Sequence, residues 1–488
     1  LFATRNTYAA MLNLIALPVT AYVISPKPFS YRSSILWGII LFILFFAVFQ
    51  TGGKGSIISL CLGLIFIFLT SRKYTKNSSF ITVLIIVTAA FLFANIQTEG
   101  YAINRLSHSS VKGVDPSIAV RLLMWESAWQ IIKNRPVIGT GIGTYYIVSP
   151  PFRHTEDGDP GYFVHNDFLQ IFLETGFVGL ILMLLIMIST GRFYIRLLRN
   201  NKLKLQDKLE TTGLMAGLIA VSTHSFVDFN FYIIAILMIL GLMSARIQEI
   251  YVQYHSELIR RFIPENNLSK KVFMFTSVII PIILLNYCIP VAIADYHWKK
   301  AKRQIKKGHI KNGELTLKLA AKWNPNNIRV HYQRFLLYKD ALRNAKNHAL
   351  AEERKLLFTN SLLILNEIEN INSLSAIVPE SRGHLLIENA DIAVKNWEER
   401  AINQFNRALY LNPRLYRARS ALARLFVKRG DFDEAVQLIN DGVKYYYPNY
   451  MTGIEKFYQY AINLNLMSGD TVKAKEIVLA KGLLKVDK

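Results

Sequence analysis

The chain has 488 residues, of which 52% are hydrophobic, and a formal net charge of +23. The hydrophobic residues form long uncharged blocks and the charges lie in the gaps, which excludes an ordinary soluble enzyme and is typical of a multi-pass membrane protein. Basic residues beside such blocks act as topology signals and lipid-headgroup contacts, so without a reader motif the charge does not indicate nucleic-acid binding.

Eight apolar blocks are candidate membrane-spanning helices, although three are shorter than the roughly 20 residues that a span needs. They cover residues 7–24, 34–50, 56–70, 80–96, 166–190, 212–226, 230–243 and 272–294. The sixth and seventh could also form one broken helix, because His224, Asp228 and Asn230 interrupt the apolar run. The first block begins almost at Leu1, without a Met, and we interpret the chain as truncated or processed.

Basic residues gather in every second loop between these blocks. They are Lys27 and Arg32; Arg72, Lys73 and Lys76; Arg192, Arg196, Arg199, Lys202, Lys204 and Lys208; and Arg260, Arg261, Lys270 and Lys271. Because such loops are usually cytoplasmic, we expect residues 97–165 and everything after Ala294 to lie outside.

The segment 97–165 is too long for a simple connection between spans. Residues 120–134 predict a helix that ends before Pro136, and a glycine-rich turn follows. A stretch rich in Pro, Gly and Asp then continues to Gly161. A loop of this length is usually functional or disordered, so we expect it to contribute to a site.

After Ala294 the sequence changes to amphipathic helices with an internal repeat. Three small or apolar positions recur 34 residues later, namely Ala401, Phe405 and Ala408 as Ala435, Ile439 and Gly442. A weaker copy covers residues 301–325, whereas 339–382 does not fit the period. The pattern resembles the tetratricopeptide repeat. We therefore predict an all-α protein with a transmembrane helix bundle over residues 1–294 and a helical-repeat domain over 295–488 that docks a protein or glycan partner.

Several tempting motifs do not support a cofactor or a metal. Gly139, Gly141 and Gly143 lack the spacing of a dinucleotide-binding loop, and residues 52–56 have a glycine where a phosphate loop has Ser or Thr after Lys. Cys61 and Cys288 both lie inside apolar blocks, which indicates neither a disulfide framework nor a metal site. We predict that the protein uses no cofactor and no metal.

The remaining polar residues are all predicted to lie at the outer side of the membrane. Those at the outer ends of spans or in the outer segment are Arg5, Lys54, Arg121, His165, His224 and Asp228. Polar groups at such depths are costly and are often functional. Arginine suits phosphate oxygens and histidine can accept a hydroxyl proton, so the set fits transfer of a group from a lipid diphosphate to an alcohol.

Three sequence stretches resemble the O-antigen ligase and Wzy-type polymerase superfamily of bacteria. The central one starts at Arg121 and reads R-x3-W-x2-A-W, then N-R-P-V-I-G-T-G-I-G-T-Y, then H-N-D-F-L-Q-I-F-L-E-T-G-F-V-G. The opening F-A-T-R-N-T-Y-A-A-M-L and H-S-F-V-D-F-N-F from His224 are the others. The resemblance covers about residues 1–294. It implies a metal-independent enzyme of the bacterial inner membrane that moves a glycan from undecaprenyl diphosphate to an acceptor hydroxyl at the outer face. It also implies further spans before Leu1, and some members carry such repeats.

The resemblance also implies roles for individual residues. His165 matches the essential histidine, taken as the base, and Arg121 matches an arginine that holds the diphosphate. Lys54 stands where the family often has arginine, and Arg5 could assist. Structural alternatives stay open, since His165 could cap a span, Arg121 could be an exposed charge and Lys54 a headgroup anchor. We expect His224 and Asp228 to be structural.

The sequence leaves the acceptor open. It could be a glycolipid such as lipid A core, the end of another glycan, or a Ser or Thr of a protein. A rival from another class is a membrane scaffold without catalytic activity that displays the repeats, and a transporter is a third. In the enzyme, His165 and Arg121 should face one cavity that opens to the lipid.

Overall fold

The computed structural model describes residues 4–26, 31–100, 103–104, 116–159, 161–255, 266–346, 350–448 and 451–483. Every regular element in these ranges is a helix, which confirms the predicted all-α class. The chain divides into one compact unit of Leu1–His154 and Asp159–Glu265 and another of Thr155–Gly158 and Asn266–Lys488. The predicted topology signals Lys27, Arg260 and Arg261 lie outside the described residues.

The described part of the first unit includes nine α-helices with assigned ends. In chain order they are α1 (Arg5–Val23), α2 (Tyr31–Gln50), α3 (Lys54–Ser71), α4 (Asn77–Gln97), α5 (Pro116–Asn134), α6 (Tyr145–Val148), α7 (Asp167–Arg199), α8 (Leu205–His224) and α9 (Ile234–Tyr254). Helix α5 confirms the helix predicted before Pro136. The sixth and seventh predicted spans are two helices, joined by a connection with a 3₁₀ turn at Asn230–Tyr232.

Long apolar helices make this a multi-pass membrane protein. Helices α2, α3, α4, α7 and α9, together with α10 (Asn267–Lys306) of the second unit, are long and apolar enough to cross a membrane. Many of their large apolar side chains are exposed, as Leu84 (64%) and Ile186 (66%) illustrate. Water would penalise such surfaces, whereas lipid covers them at no cost.

Helices α1 and α8, which coincide with the first and sixth predicted spans, pack closely against their neighbours. A Cβ on Gly63 of α3 would lie 2.4 Å from Leu17 of α1, and one on Gly213 of α8 would lie 2.6 Å from Ala21. Small residues let membrane helices approach this closely. This packing brings the first turns of α1 and α3 to the same end as the connection after α8.

The second unit begins with helix α10, which passes without a break through the predicted domain boundary between Ala294 and Asp295. The compact units divide instead between Glu265 and Asn266. The reason is that α10 has two different halves. Its first half exposes apolar side chains such as Phe273 (70%), and its second half packs through Ala301 against the next helix.

Paired helices follow α10 and build the repeat domain. They are α11 (Ile310–Trp323), α12 (Ile328–Ala345), α13 (Ala351–Ile371), α14 (Ile377–Glu388), α15 (Trp397–Leu411), α16 (Tyr416–Arg429), α17 (Phe432–Val443), α18 (Ile454–Met467) and α19 (Thr471–Leu483). The recurring residues Ala401, Phe405, Ala408, Ala435 and Ile439 are all fully buried. The repeat period therefore reports shared core positions, and the predicted repeat architecture is confirmed.

A fragment of residues 295–488 is expected to fold by itself in water as a helical domain, because its helix pairs share their own core. Far-ultraviolet circular dichroism and a thermal melt measure this. A fragment from residue 266 is the matched control and should need detergent, since it adds the exposed apolar half of α10. An unfolded shorter fragment would contradict an independent repeat domain.

Candidate functional site

His165 lies immediately before α7 and faces two carboxylates. Its backbone has a φ of 55°, in the left-handed region, and the next residue Asn166 caps the helix by accepting a hydrogen bond from the Leu169 N–H at 3.0 Å. His165 Nε2 is 3.4 Å from Asp159 Oδ2, and Nδ1 is 3.7 Å from Asp228 Oδ1. The imidazole is thus held between two negative charges.

These carboxylates determine the charge of the imidazole. Burial by itself lowers the pKa of His165, but the carboxylates of Asp159 and Asp228 outweigh burial and raise the pKa to about 9. Burial likewise raises the pKa of Asp228, yet the nearby imidazole of His165 brings this pKa below its usual value. At neutral pH the three groups therefore form an imidazolium between two carboxylates.

The connection between α8 and α9 supplies Asp228 and is pinned to the start of α7. The Asp167 N–H donates to the carbonyl of Ser225 at 2.8 Å, and the Phe231 N–H donates to Asp167 Oδ2 at 3.0 Å. Phe229 packs against the His165 ring with a centroid distance of 5.0 Å. Since these contacts fix the backbone on both sides of Asp228, its carboxylate is preorganised toward His165.

Arg121 reaches this connection from helix α5. Its Nε donates to the carbonyl of Val227 at 3.0 Å, and its Nη1 donates to the carbonyl of Ser117 at 2.9 Å. Val227 directly precedes Asp228. The structure therefore brings the predicted diphosphate-binding arginine and the predicted base to the same short connection.

The first turns of α3 and α1 complete the same end of the unit. A Cβ on Gly55, next to Lys54, would be 2.9 Å from both the His224 ring and the Val227 side chain. A Cβ on Gly53 would be 3.0 Å from Oδ1 of Asn6, which follows Arg5. The backbone around Lys54 thus lies beside the connection after α8, and Arg5 precedes a residue that contacts the start of α3. Their binding roles stay predictions.

Hydrogen bonds to Glu174 of α7 hold the glycine-rich turn in place, an arrangement that the sequence did not reveal. Glu174, which is 1% exposed, accepts hydrogen bonds from the Gly143 N–H at 2.7 Å, the Tyr145 N–H at 3.3 Å and the Tyr232 hydroxyl at 2.6 Å. The Gly141 N–H donates to the Glu174 carbonyl at 2.8 Å. These bonds join the turn and the connection after α8 to one side chain of α7.

A sharp break in α7 at Gly176 lets the turn pack against this helix. Gly176 has φ 65° and ψ −166°, and a Cβ there would lie 2.1 Å from the carbonyl oxygen of Val137. Only glycine adopts this conformation readily. The break frees the neighbouring peptide groups, and the N–H of Phe177 donates instead to the carbonyl of Pro136 at 2.9 Å.

Gly176→Ala is expected to lower thermal stability clearly and to disable the site, because backbone strain of about 1–3 kcal/mol adds to the collision with Val137. Gly191→Ala on the same helix is the matched control, since its Cβ would meet no atom within 4 Å. Thermal unfolding in detergent compares the two proteins. Equal melting temperatures for the two variants would contradict the requirement for glycine at the break in α7.

The sequence gives no indication of Asp159 and predicts only a structural role for Asp228. Asp159 lies in an irregular stretch where no periodicity indicates which side chains turn inward. Asp228 was visible as a polar interruption between apolar blocks, but its pairing with His165 joins residues 63 positions apart in the sequence. His224 is 2% exposed, and its structural role stays a prediction.

A cavity of about 400 Å³ lies between α1, α2 and α8, lined by Tyr22, Trp37 and Glu210. It is at the other end of α1 from Arg5 and includes neither His165 nor Arg121. The predicted shared cavity at His165 therefore stays a prediction. Among the described residues, no group of three or more His, Cys, Asp or Glu side chains is arranged for a metal ion. Metal independence also stays a prediction.

Residues 39–184 match the family model of the O-antigen ligase (Wzy_C). This range contains Lys54, Arg121 and His165, whereas Arg5 and Asp228 lie outside it. The match confirms the resemblance noted in the sequence and supports a glycosyltransferase of the O-antigen ligase or polymerase kind.

A curated relative is an uncharacterized protein of Haemophilus influenzae, 23% identical over 214 residues, which are 40% of this chain and 51% of the relative. The chain thus spans about half the length of this relative. Among solved structures, MamA covers 38% of this chain and 97% of its own, with 19% identity and a TM-score of 0.27. Yeast Tom70 covers 92% of this chain and 91% of its own, with 12% identity and a TM-score of 0.25.

Proposed function

We propose that this protein transfers a glycan from undecaprenyl diphosphate to the hydroxyl of an acceptor at the outer face of the bacterial inner membrane. The observation that carries the proposal is the placement of His165 between two carboxylates, beside the connection that Arg121 contacts. A base beside a cationic group is the minimum that such a transfer requires. The match to the O-antigen ligase supports the same reaction class.

The reaction joins the acceptor oxygen to the anomeric carbon of the glycan. Neutral His165 takes the proton of the acceptor hydroxyl while that oxygen attacks the anomeric carbon. The bond from this carbon to the diphosphate oxygen breaks, and the lipid diphosphate leaves with the electron pair. Attack from the side opposite the leaving group inverts the anomeric configuration.

The charged residues divide into two groups by role. Asp228 and Asp159 stabilise the imidazolium that forms when His165 takes the proton, because both carboxylates raise its pKa. Arg121, with Lys54 and Arg5, stabilises the negative charge that grows on the leaving diphosphate. Arg121 is preoriented, since its Nε and one Nη1 proton are held by backbone carbonyls. In the described part of the chain its Nη2 donates to no acceptor, and we assign this group to a phosphate oxygen.

The acceptor is a glycolipid, a growing glycan or a protein, and each of the three would present a hydroxyl group to His165. The basic loops predict that the site and the repeat domain both face outward. A repeat domain on that side could bind the protein or glycan that supplies the acceptor. The proposal assigns the charge of the diphosphate to Arg121, Lys54 and Arg5 and therefore needs no metal.

The rate of transfer is expected to rise with pH. Only neutral His165 accepts a proton, and a pKa of about 9 leaves about one molecule in a hundred neutral at pH 7. The rate should therefore rise about tenfold per pH unit and level off near the pKa of His165. Initial rates of glycan transfer between pH 6 and pH 10 measure this profile, with protein stability followed at each pH.

Asp228→Asn tests the origin of this profile. The substitution removes a carboxylate that raises the pKa of His165, so that pKa falls and the rise in rate moves to lower pH. Exposed Glu126, on helix α5, provides the control substitution Glu126→Gln, which should leave the profile in place. An unchanged midpoint in Asp228→Asn would contradict the base role of His165.

A further inference from the structure

Helix α5 carries an exposed apolar stripe that the proposed chemistry does not use. Ile118, Leu122 and Trp129 are 48%, 50% and 49% exposed, and their spacing of four and seven residues places them on one face. The opposite face is buried, as Met124 (1%) and Ala128 (0%) show. Exposed polar residues Glu126, Gln130 and Lys133 flank the stripe. An apolar stripe with Trp and a charged flank is typical of a helix that lies in a membrane interface.

The glycine-rich turn that follows α5 extends this apolar surface. Val137, Ile138 and Ile142 are 60%, 75% and 80% exposed, although nothing in a water-facing turn favours three such side chains. We group these residues with the stripe and call the set the apolar shelf, consisting of Ile118, Leu122, Trp129, Val137, Ile138 and Ile142. An exposed apolar surface of this kind marks a site of interaction.

Backbone hydrogen bonds join the apolar shelf to the lipid-exposed face of a spanning helix. The N–H groups of Phe177 and Val178 donate to the carbonyls of Pro136 and Val137 at 2.9 and 3.4 Å. Phe177 and Val178 are themselves 49% and 53% exposed on α7, a helix long and apolar enough to cross a membrane. The shelf therefore adjoins the exposed apolar surface of α7.

Several N–H groups of the turn are satisfied by α7, which favours irregular backbone next to lipid. The N–H groups of Thr140 and Gly141 donate to the carbonyls of Leu173 and Glu174, and those of Gly143 and Tyr145 donate to the Glu174 carboxylate. Ile138 and Ile142 project from the turn that these hydrogen bonds hold against α7. A turn that had to face water would not need such protection.

We propose that the apolar shelf is seated in the lipid bilayer at the membrane face where His165 lies, with Ile138 and Ile142 among the acyl chains. Lipid is the occupant because the shelf is continuous with the lipid-exposed surface of α7 and has polar residues along its edge. The site is then fixed at headgroup depth, since Arg121 lies on α5 beside the stripe. One consequence of this placement rests on the proposed function. A lipid diphosphate would reach Arg121 without leaving the membrane.

Site-directed fluorescence of the full chain in lipid vesicles tests whether the apolar shelf lies in the bilayer. Cys61→Ser and Cys288→Ser remove the native thiols, both of which are exposed. A bimane label is then attached through Ile142→Cys or, as a second position, Ile138→Cys. Ile186→Cys in the middle of α7 is the lipid-exposed reference, and Lys133→Cys on the polar flank of α5 is the water-exposed reference.

The labels at Ile142 and Ile138 are expected to lose as much fluorescence to nitroxide-labelled lipids as the label at Ile186, and to resist iodide in the water phase. The label at Lys133 should show the reverse. Quenching of both turn labels by iodide, as at Lys133, would overturn the proposal because the shelf would face water. Shielding from both quenchers would also overturn it and would indicate a protein occupant. Neither result depends on glycan transfer.

Discussion

His165→Asn is expected to lower the rate of glycan transfer by about 100-fold to 10,000-fold, the usual contribution of a general base. Asparagine is preferred to alanine here because His165 has a φ of 55°, a conformation that asparagine tolerates. Donor binding should change little, since the base contacts the acceptor hydroxyl rather than the diphosphate. Turnover in membranes and binding of lipid diphosphate are measured on the same preparation.

His154→Asn is the matched control for this substitution. His154 is an exposed histidine of the same segment and has no role in the proposed reaction, so its replacement should leave transfer unchanged. The His165 variant should also insert and unfold like the native protein. Near-normal transfer by His165→Asn would remove the base from the mechanism. Loss of activity that only follows poor insertion would make His165 a structural residue.

Arg121→Ala is expected to weaken donor binding by about 10-fold to 100-fold, the value of a charge-assisted hydrogen bond of about 1.5–3 kcal/mol. Turnover should fall as well, because negative charge on the diphosphate grows in the transition state. Arg121→Lys should restore only part of each loss, since lysine keeps the charge but loses the planar fork. Titration with lipid diphosphate and initial rates give the two quantities separately.

The contact of Arg121 with Val227 calls for a stability control. Losing the hydrogen bond to the Val227 carbonyl costs about 1 kcal/mol and could loosen the connection that carries Asp228. Thermal unfolding of Arg121→Ala therefore accompanies the binding assay, and Arg135→Ala serves as a matched substitution of an exposed arginine. Unchanged donor binding in Arg121→Ala would exclude a direct contact with the diphosphate.

Apolar length and repeat period predicted the fold because both are local properties of the sequence. Each predicted span coincides with a helix, and the recurring Ala401, Phe405 and Ala408 are core residues. The change in composition after Ala294 predicts a domain boundary there, but a helix has no reason to end where composition changes. Helix α10 changes from apolar to amphipathic without a break.

The candidate site could be predicted only in part. Arg121 and His165 were recognisable from residue type and family pattern, but their meeting at residues 225–233 depends on packing between distant helices. The sequence does not show that α7 breaks at Gly176, because the same helix also contains Gly179 and Gly191. The role of Glu174 and the approach of Asp159 to His165 arise only when the irregular segments close onto α7.

The most direct test of catalysis is transfer by the purified protein in membranes, with undecaprenyl-diphosphate-linked glycan as donor. A glycolipid, a glycan chain and a protein are offered in turn as acceptors. We expect one of the three to gain the glycan with inverted anomeric configuration, in the presence of EDTA, and the His165→Asn protein to yield almost none. A folded native protein that binds the donor but transfers glycan to none of the three would contradict the proposed enzyme and favour a scaffold.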